Sequence, residues 1–226
     1  HFQYNGFFSL AILAIFFNAM GKTPTKPKGK GIDQFVLILI ISILPSSFLS
    51  YLWQDPNTYY RVIAVAGSLL TLLSCFLFIR AGWSFSSNLK RERPATRALL
   101  ILSLFSFVLK LFLQSITIFR VVGNAIFGNR PIIMGFLHLV LLGFVSIFII
   151  AFYAKRQLLA PQIKLTSFAM ICFAGGVVVN EVLLVSQGVT TIFGPAANLF
   201  IWLLWGAAIW LMIGTVLIAV ARILTR

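Results

Sequence analysis

Residues 131–154, PIIMGFLHLVLLGFVSIFIIAFYA, contain no Asp, Glu, Lys or Arg and are followed at once by Lys155 and Arg156. At about 1.5 Å per residue this run makes a helix of about 36 Å, longer than the roughly 30 Å hydrocarbon core of a bilayer. An apolar stretch of that length ending on cations reads as a transmembrane helix, and six further runs repeat the pattern. The candidate spans are 2–20, 34–53, 61–82, 97–120, 131–154, 165–187 and 195–224. The sequence therefore predicts an all-α protein, a polytopic transmembrane helix bundle of about seven spans forming a single transmembrane domain over residues 1–226.

Composition agrees. Of 226 residues 60% are hydrophobic and 10% charged, with a mean hydropathy of +1.02, whereas soluble domains are about a quarter charged. No water-soluble fold hides that much apolar surface, so the lipid bilayer is the first partner. The net charge of +14 belongs to short loops between apolar runs, not to one continuous face, which excludes a nucleic-acid partner. With four acidic residues, no nucleophile elbow, no phosphate-binding glycine loop and no metalloprotease motif, the chain carries no catalytic residues of a soluble-type enzyme. Cys75 and Cys172 fall inside apolar runs without a partner at metal or haem-attachment spacing and read as packing residues.

Cationic loops resist translocation, so their distribution sets the orientation. On one side lie Lys22, Lys26, Lys28, Lys30, Arg80, Lys90, Arg91, Arg93, Arg97, Lys155, Arg156, Lys164, Arg222 and Arg226; on the other lie Arg61, Arg120 and Arg130. This bias predicts an N-out, C-in protein. The longest connection, Gly21 to Asp33, is rich in Lys, Pro and Gly and reads as a solvated linker. Pro45, followed by Ser46 and Ser47, should kink the second span while the hydroxyls re-satisfy freed carbonyls. Trp53, Trp83, Tyr59 and Tyr60 stand at span ends, and Gly175, Gly176, Gly206 and Gly214 read as close-packing positions.

An ionisable group inside hydrocarbon costs about 2.5–3.5 kcal/mol on insertion scales, so each one needs a reason. Lys110, His138 and Glu181 stand in mid-span, with Asn5, Asn18, Gln114 and Asn180 as polar companions. Counting residues puts Lys110 near the middle of the fourth span, with Gln114 one turn on along the same face. His138 falls about 10 Å below the outer edge of the fifth, and Asn180 and Glu181 come at similar depth in the sixth. Lys110 and Glu181 read either as a self-neutralising pair or as members of a proton or ion path. His138 reads as a hydrogen-bonded packing residue or as a metal ligand, with Gly135 and Gly143 making room for a porphyrin face.

Two segments, His1-Phe2-Gln3-Tyr4-Asn5-Gly6-Phe7-Phe8 and Gly135-Phe136-Leu137-His138-Leu139-Val140-Leu141-Leu142-Gly143, resemble helices of polytopic bacterial membrane proteins distantly similar to haem–copper oxidase subunit I and to NnrS-like haem–copper proteins. The resemblance implies a place in the bacterial cytoplasmic membrane, a haem cofactor, and His1 and His138 as its cofactor-binding and metal-ligating residues. The implied role is respiratory electron transfer or its assembly, beside other membrane subunits. It also implies that the chain is the C-terminal seven-helix portion of a longer protein, a reading to which the missing initiator Met at position 1 adds. Such centres use more histidines than the two here, and neither a tandem His-His nor a His-x-His occurs. The remaining ligands would then lie upstream of His1, or the metal centre has been lost. The alternatives from the residues themselves are a transporter or channel using Lys110 and Glu181, and a non-catalytic structural subunit of a membrane complex. Receptor and retinal-protein readings fail, because the seventh span has no lysine and no Asp-Arg-Tyr motif occurs.

Overall fold

The computed structural model describes residues 2–21, 29–54, 57–82, 85–126, 128–194 and 198–224. Of the residues singled out above, His1, Trp83, the 22–28 part of the linker and Arg226 lie outside these, as does the side chain of Trp53. Among the described residues all regular structure is helical: a π-helical turn Phe2–Phe8, α1 (Ser9–Gly21), α2 (Gly29–Ser47) running into a 3-10 turn Phe48–Gln54, α3 (Thr58–Gly82), α4 (Ser86–Lys90), α5 (Pro94–Ile116), α6 (Arg120–Ile126), α7 (Arg130–His138), a π-helical segment Leu139–Ser146, α8 (Ile147–Lys155), α9 (Lys164–Phe193) and α10 (Leu199–Leu224). Among the described residues seven stretches are long and apolar enough to cross a membrane: Phe2–Ala19, Gly31–Leu52, Thr58–Gly82, Pro94–Ile116, Arg130–Lys155, Lys164–Phe193 and Leu199–Leu224.

Two boundaries differ from the expectation. The fourth span ends at Ile116, because the chain turns there: the Ile118 amide donates to Ser115 O and the Phe119 amide to Ile116 O, while the Thr117 hydroxyl donates to Gln114 O. Lys110, six residues before Ile116, thus stands past the middle of its helix but still nearer the middle than the end. The sixth span continues past Gln187 to Phe193, where Thr190 and Thr191 turn their hydroxyls onto the carbonyls of Gln187 and Gly188.

The helices gather into two units. The first comprises residues 1–89 and 107–128, the second residues 90–106 and 129–226, so α5 contributes its first half to one and its second half to the other. In the first unit α2 lies along α3 with backbones in near contact. A Cβ on Gly67 would come within 2.4 Å of the Pro45 carbonyl carbon and the Ser46 nitrogen, so only glycine fits. The hydroxyls of Ser46 and Ser47 turn onto their own helix around Pro45, bonding the carbonyls of Ile43 and Leu44 at 3.2 and 2.6 Å. An aromatic cluster of Phe16, Phe17, Phe35, Phe78, Phe85 and Phe107, many rings edge to face, fills the unit's core.

In the second unit α9 packs along α10. A Cβ on Gly214 would meet the Phe173 backbone at 2.8 Å, and Gly176 accepts Leu211 and Trp210, while Gly175 faces Trp210. Gly206 has no neighbour within 4 Å of such a Cβ and plays no packing role. The Trp210 indole N–H donates to Cys172 O at 3.0 Å, adding a polar clasp to the same contact. At the opposite end of α9, Asn129 caps α7 by accepting from the Ile132 amide. Its own amide donates to Gly188 O at 3.0 Å and to Thr191 Oγ1 at 2.9 Å.

Candidate functional site: polar groups within the spans

In the first unit the polar site is built on α5 and the start of the first span. Lys110 is 1% exposed; its ammonium donates to Ser9 Oγ at 3.3 Å and stands 5.6 Å from the ring centroid of Phe107. A fully enclosed ammonium requires acceptors, and a hydroxyl plus an aromatic face are a modest set for three N–H donors. Ser9 is held in place by donating in turn to Tyr4 O at 2.7 Å. That bond reaches back five residues, across the junction where the π-helical turn Phe2–Phe8 passes into α1. The wider turn is therefore what presents the hydroxyl to Lys110. One turn beyond Lys110, Gln114 is buried, and its side-chain oxygen has no hydrogen-bond partner among the described residues. Asn5 is buried in the π-helical turn as well.

In the second unit His138 closes α7 and Asn180 lies in α9, and the two meet at 2.9 Å between His138 Nδ1 and Asn180 Nδ2. Depth counting along the fifth and sixth spans anticipated this level match. The Asn180 amide donates, so Nδ1 accepts and the neutral ring carries its proton on Nε2. Glu181 follows at about 100° round the helix. It is half-buried, and its Oε1 is enclosed without a hydrogen-bond partner among the described residues. Immediately after His138 the fifth span widens into the π-helical segment Leu139–Ser146. There Ser103 of α5 donates to Phe144 O at 2.8 Å, and Ser146 donates to Leu141 O at 2.8 Å. Hydroxyls thus serve carbonyls of a non-standard turn in hydrocarbon, where no water is present to do so.

Lys110 and Gln114 belong to the first unit, and His138, Asn180 and Glu181 to the second. A Lys110–Glu181 pair would join the two units and stays an expectation. Sequence reading missed Ser9 and Phe107 as the partners of Lys110, Ser103 as the partner of the widened turn, and Asn129 as a clamp. For Asn129 a signal existed: Asn before Arg-Pro at the head of an apolar run is a helix start with its cap.

The two glycines flanking His138 face neighbouring helices and not open space. The glycines that were to admit a porphyrin face are occupied by neighbouring helices: a Cβ on Gly143 would lie 2.9 Å from Ser106 Oγ, and one on Gly135 would lie 3.5 Å from Leu184 Cβ. His138 Nδ1 is already engaged by the Asn180 side chain at 2.9 Å. Among the described residues no group of three or more His, Cys, Asp or Glu side chains is placed to hold a metal ion.

Compared with protein-family models, curated proteins and solved structures, the chain matches none.

Proposed function

We propose that this multi-pass integral membrane protein is a transporter or channel in which Glu181 carries the proton or ion. The observation that supports the reading is the Glu181 carboxyl in mid-span, with one oxygen enclosed and unpartnered beside the His138–Asn180 contact. A carboxylate without a fixed counter-charge in hydrocarbon is costly, and binding a proton or a cation removes the cost. Lys110 and Gln114 supply the buried polar groups of the first unit in the same reading. The bacterial cytoplasmic membrane is assigned on the resemblance of the two histidine-bearing segments.

The test is flux in vesicles reconstituted with the purified chain and loaded with a pH-sensitive dye, under imposed proton or alkali-cation gradients. Glu181→Gln should bring flux down to that of protein-free vesicles while the helix content by circular dichroism stays unchanged. If the variant conducts as well as the parent, the transport reading falls. A non-catalytic subunit then takes its place, a role that suits α10, of which only 11% is buried within the chain. A Soret band in the purified protein, lost in His138→Ala, would restore the haem reading.

A further inference from the structure

At the basic end of the second unit an open pocket of about 430 Å³ lies between the start of α5 and the start of α9, lined by Arg93, Pro94, Ala95, Pro161, Ser167 and Ile171. Its position is set by the chain's own punctuation. Pro94 begins α5, Pro161 precedes α9, and neither proline can continue a helix backwards, so two connections end side by side and leave a gap between the first turns. Ile171 stands seven residues into α9, so the pocket reaches about 10 Å from the helix ends toward the apolar interior. That is the depth over which a bilayer passes from headgroup to acyl chain.

The chemistry of the lining follows the same gradient. The lining is apolar at Pro94, Ala95 and, deepest along its helix, Ile171; Arg93 is exposed, with no hydrogen-bond or ion-pair partner for its guanidinium among the described residues. Around it on the same unit lie Lys90, Arg91, Arg97, Lys155, Arg156 and Lys164, against the single acidic residue Glu92, which Lys155 already neutralises in an ion pair. Both helix starts point their amide ends at this region. The cap position of α9 is Ile163, which offers no side-chain acceptor, so its first-turn N–H groups have no cap. The Ser167 hydroxyl is spent on Pro161 O at 2.8 Å and holds the rim closed on that side. Next to the lining, Thr96 and Thr166, each 1% exposed, keep hydroxyl oxygens without hydrogen-bond partners among the described residues.

From this juxtaposition we infer that the pocket is a binding site for one anionic phospholipid, its phosphate at Arg93 and the two helix starts, its upper acyl chain along Ala95 and Ile171. The inference is independent of any transport role for Glu181. Positive charge, the uncapped start of α9 beside the start of α5 and an apolar wall at the membrane surface match a phosphodiester joined to a hydrocarbon tail. A soluble anion would use only the outer half, and a neutral lipid only the inner half.

The experiment uses the full chain purified in a neutral detergent and titrated with phosphatidylglycerol, phosphatidylcholine or inorganic phosphate, with thermal unfolding and bound-lipid counts by native mass spectrometry as readouts. Phosphatidylglycerol should raise the midpoint and remain bound as one molecule, and the other two should do neither. Arg93→Gln should weaken phosphatidylglycerol about fivefold, the effect of one cation near the surface. Arg91→Gln, a basic residue outside the lining, should have less effect. Ile171→Trp, which fills the inner half and leaves every charge in place, should abolish the bound lipid. Equal protection by phosphatidylcholine or by inorganic phosphate would overturn the inference. So would equal losses from Arg91→Gln and Arg93→Gln, which would show diffuse attraction, or an Ile171→Trp protein that binds phosphatidylglycerol unchanged.

Discussion

Lys110 shows how a single buried charge is made tolerable. Its ammonium has one hydroxyl, Ser9 Oγ, and one ring face, Phe107, and the hydroxyl is itself aimed by Tyr4 O. Removing the hydroxyl leaves a buried donor unserved, whereas removing the charge leaves only an apolar fit to satisfy. Ser9→Ala should therefore destabilise the protein by about 1–3 kcal/mol. Lys110→Met should cost less, and Ser9→Ala should cost almost nothing further in the Lys110→Met background. Thermal unfolding of the four proteins in one detergent checks this; additive losses would mean that the two side chains do not share an interaction. That Lys110 needs a partner was legible in the sequence, as for any cation in an apolar run. Which partner was not, because Ser9 lies a hundred and one residues away and is placed by a π-helical turn that composition does not announce.

At the scale of the element, apolar length fixed the existence of all seven spans, because the bilayer demands it of any crossing helix. It could not fix their ends where the flanking residues are also apolar: Ile116, Ile118 and Phe119 read as helix, yet side-chain and backbone bonds turn the chain there. Nor could it find the widened Leu139–Ser146 turn, which depends on Ser103 from another helix. Lipid-facing and protein-facing positions are both apolar, so periodicity carries little information about which face packs. Glycines were legible as small residues but not by role. Gly67→Ala should destabilise by about 1–3 kcal/mol, since its methyl group would meet the Pro45 backbone and not a movable side chain. Gly206→Ala, with open space around it, should be neutral or slightly stabilising through helix propensity. Thermal unfolding of the two variants side by side decides it; equal midpoints would contradict the close crossing of α2 and α3.

At the scale of the whole molecule the charge asymmetry makes a prediction about orientation. Fourteen Lys and Arg on one side against three on the other should hold the Arg226 end in the cytoplasm and the Phe2 end outside. Single cysteines placed at Gln157 and at Thr58, in a background with Cys75 and Cys172 replaced by Ala, check it with a membrane-impermeant thiol reagent on intact cells. The Thr58 position should label and the Gln157 position should not, and the reverse result would invert the topology. The polar residues within the spans were legible as a set. Their grouping was legible only for His138 and Asn180, where depth along adjacent spans sufficed.

The divided allegiance of α5 bears on how the protein is made. Synthesis runs from the N-terminus, so residues 107–128 complete the first unit when about the first half of the chain has emerged. Residues 90–106 emerge just before them, but their own unit does not yet exist. Until the fifth span is synthesised, Ser103 has no Phe144 carbonyl to donate to and Ser106 no Gly143 to pack against. The nascent chain therefore passes through a stage in which this helix is folded against one set of neighbours and still waiting for the other, with polar atoms facing lipid or the insertion machinery in the interval.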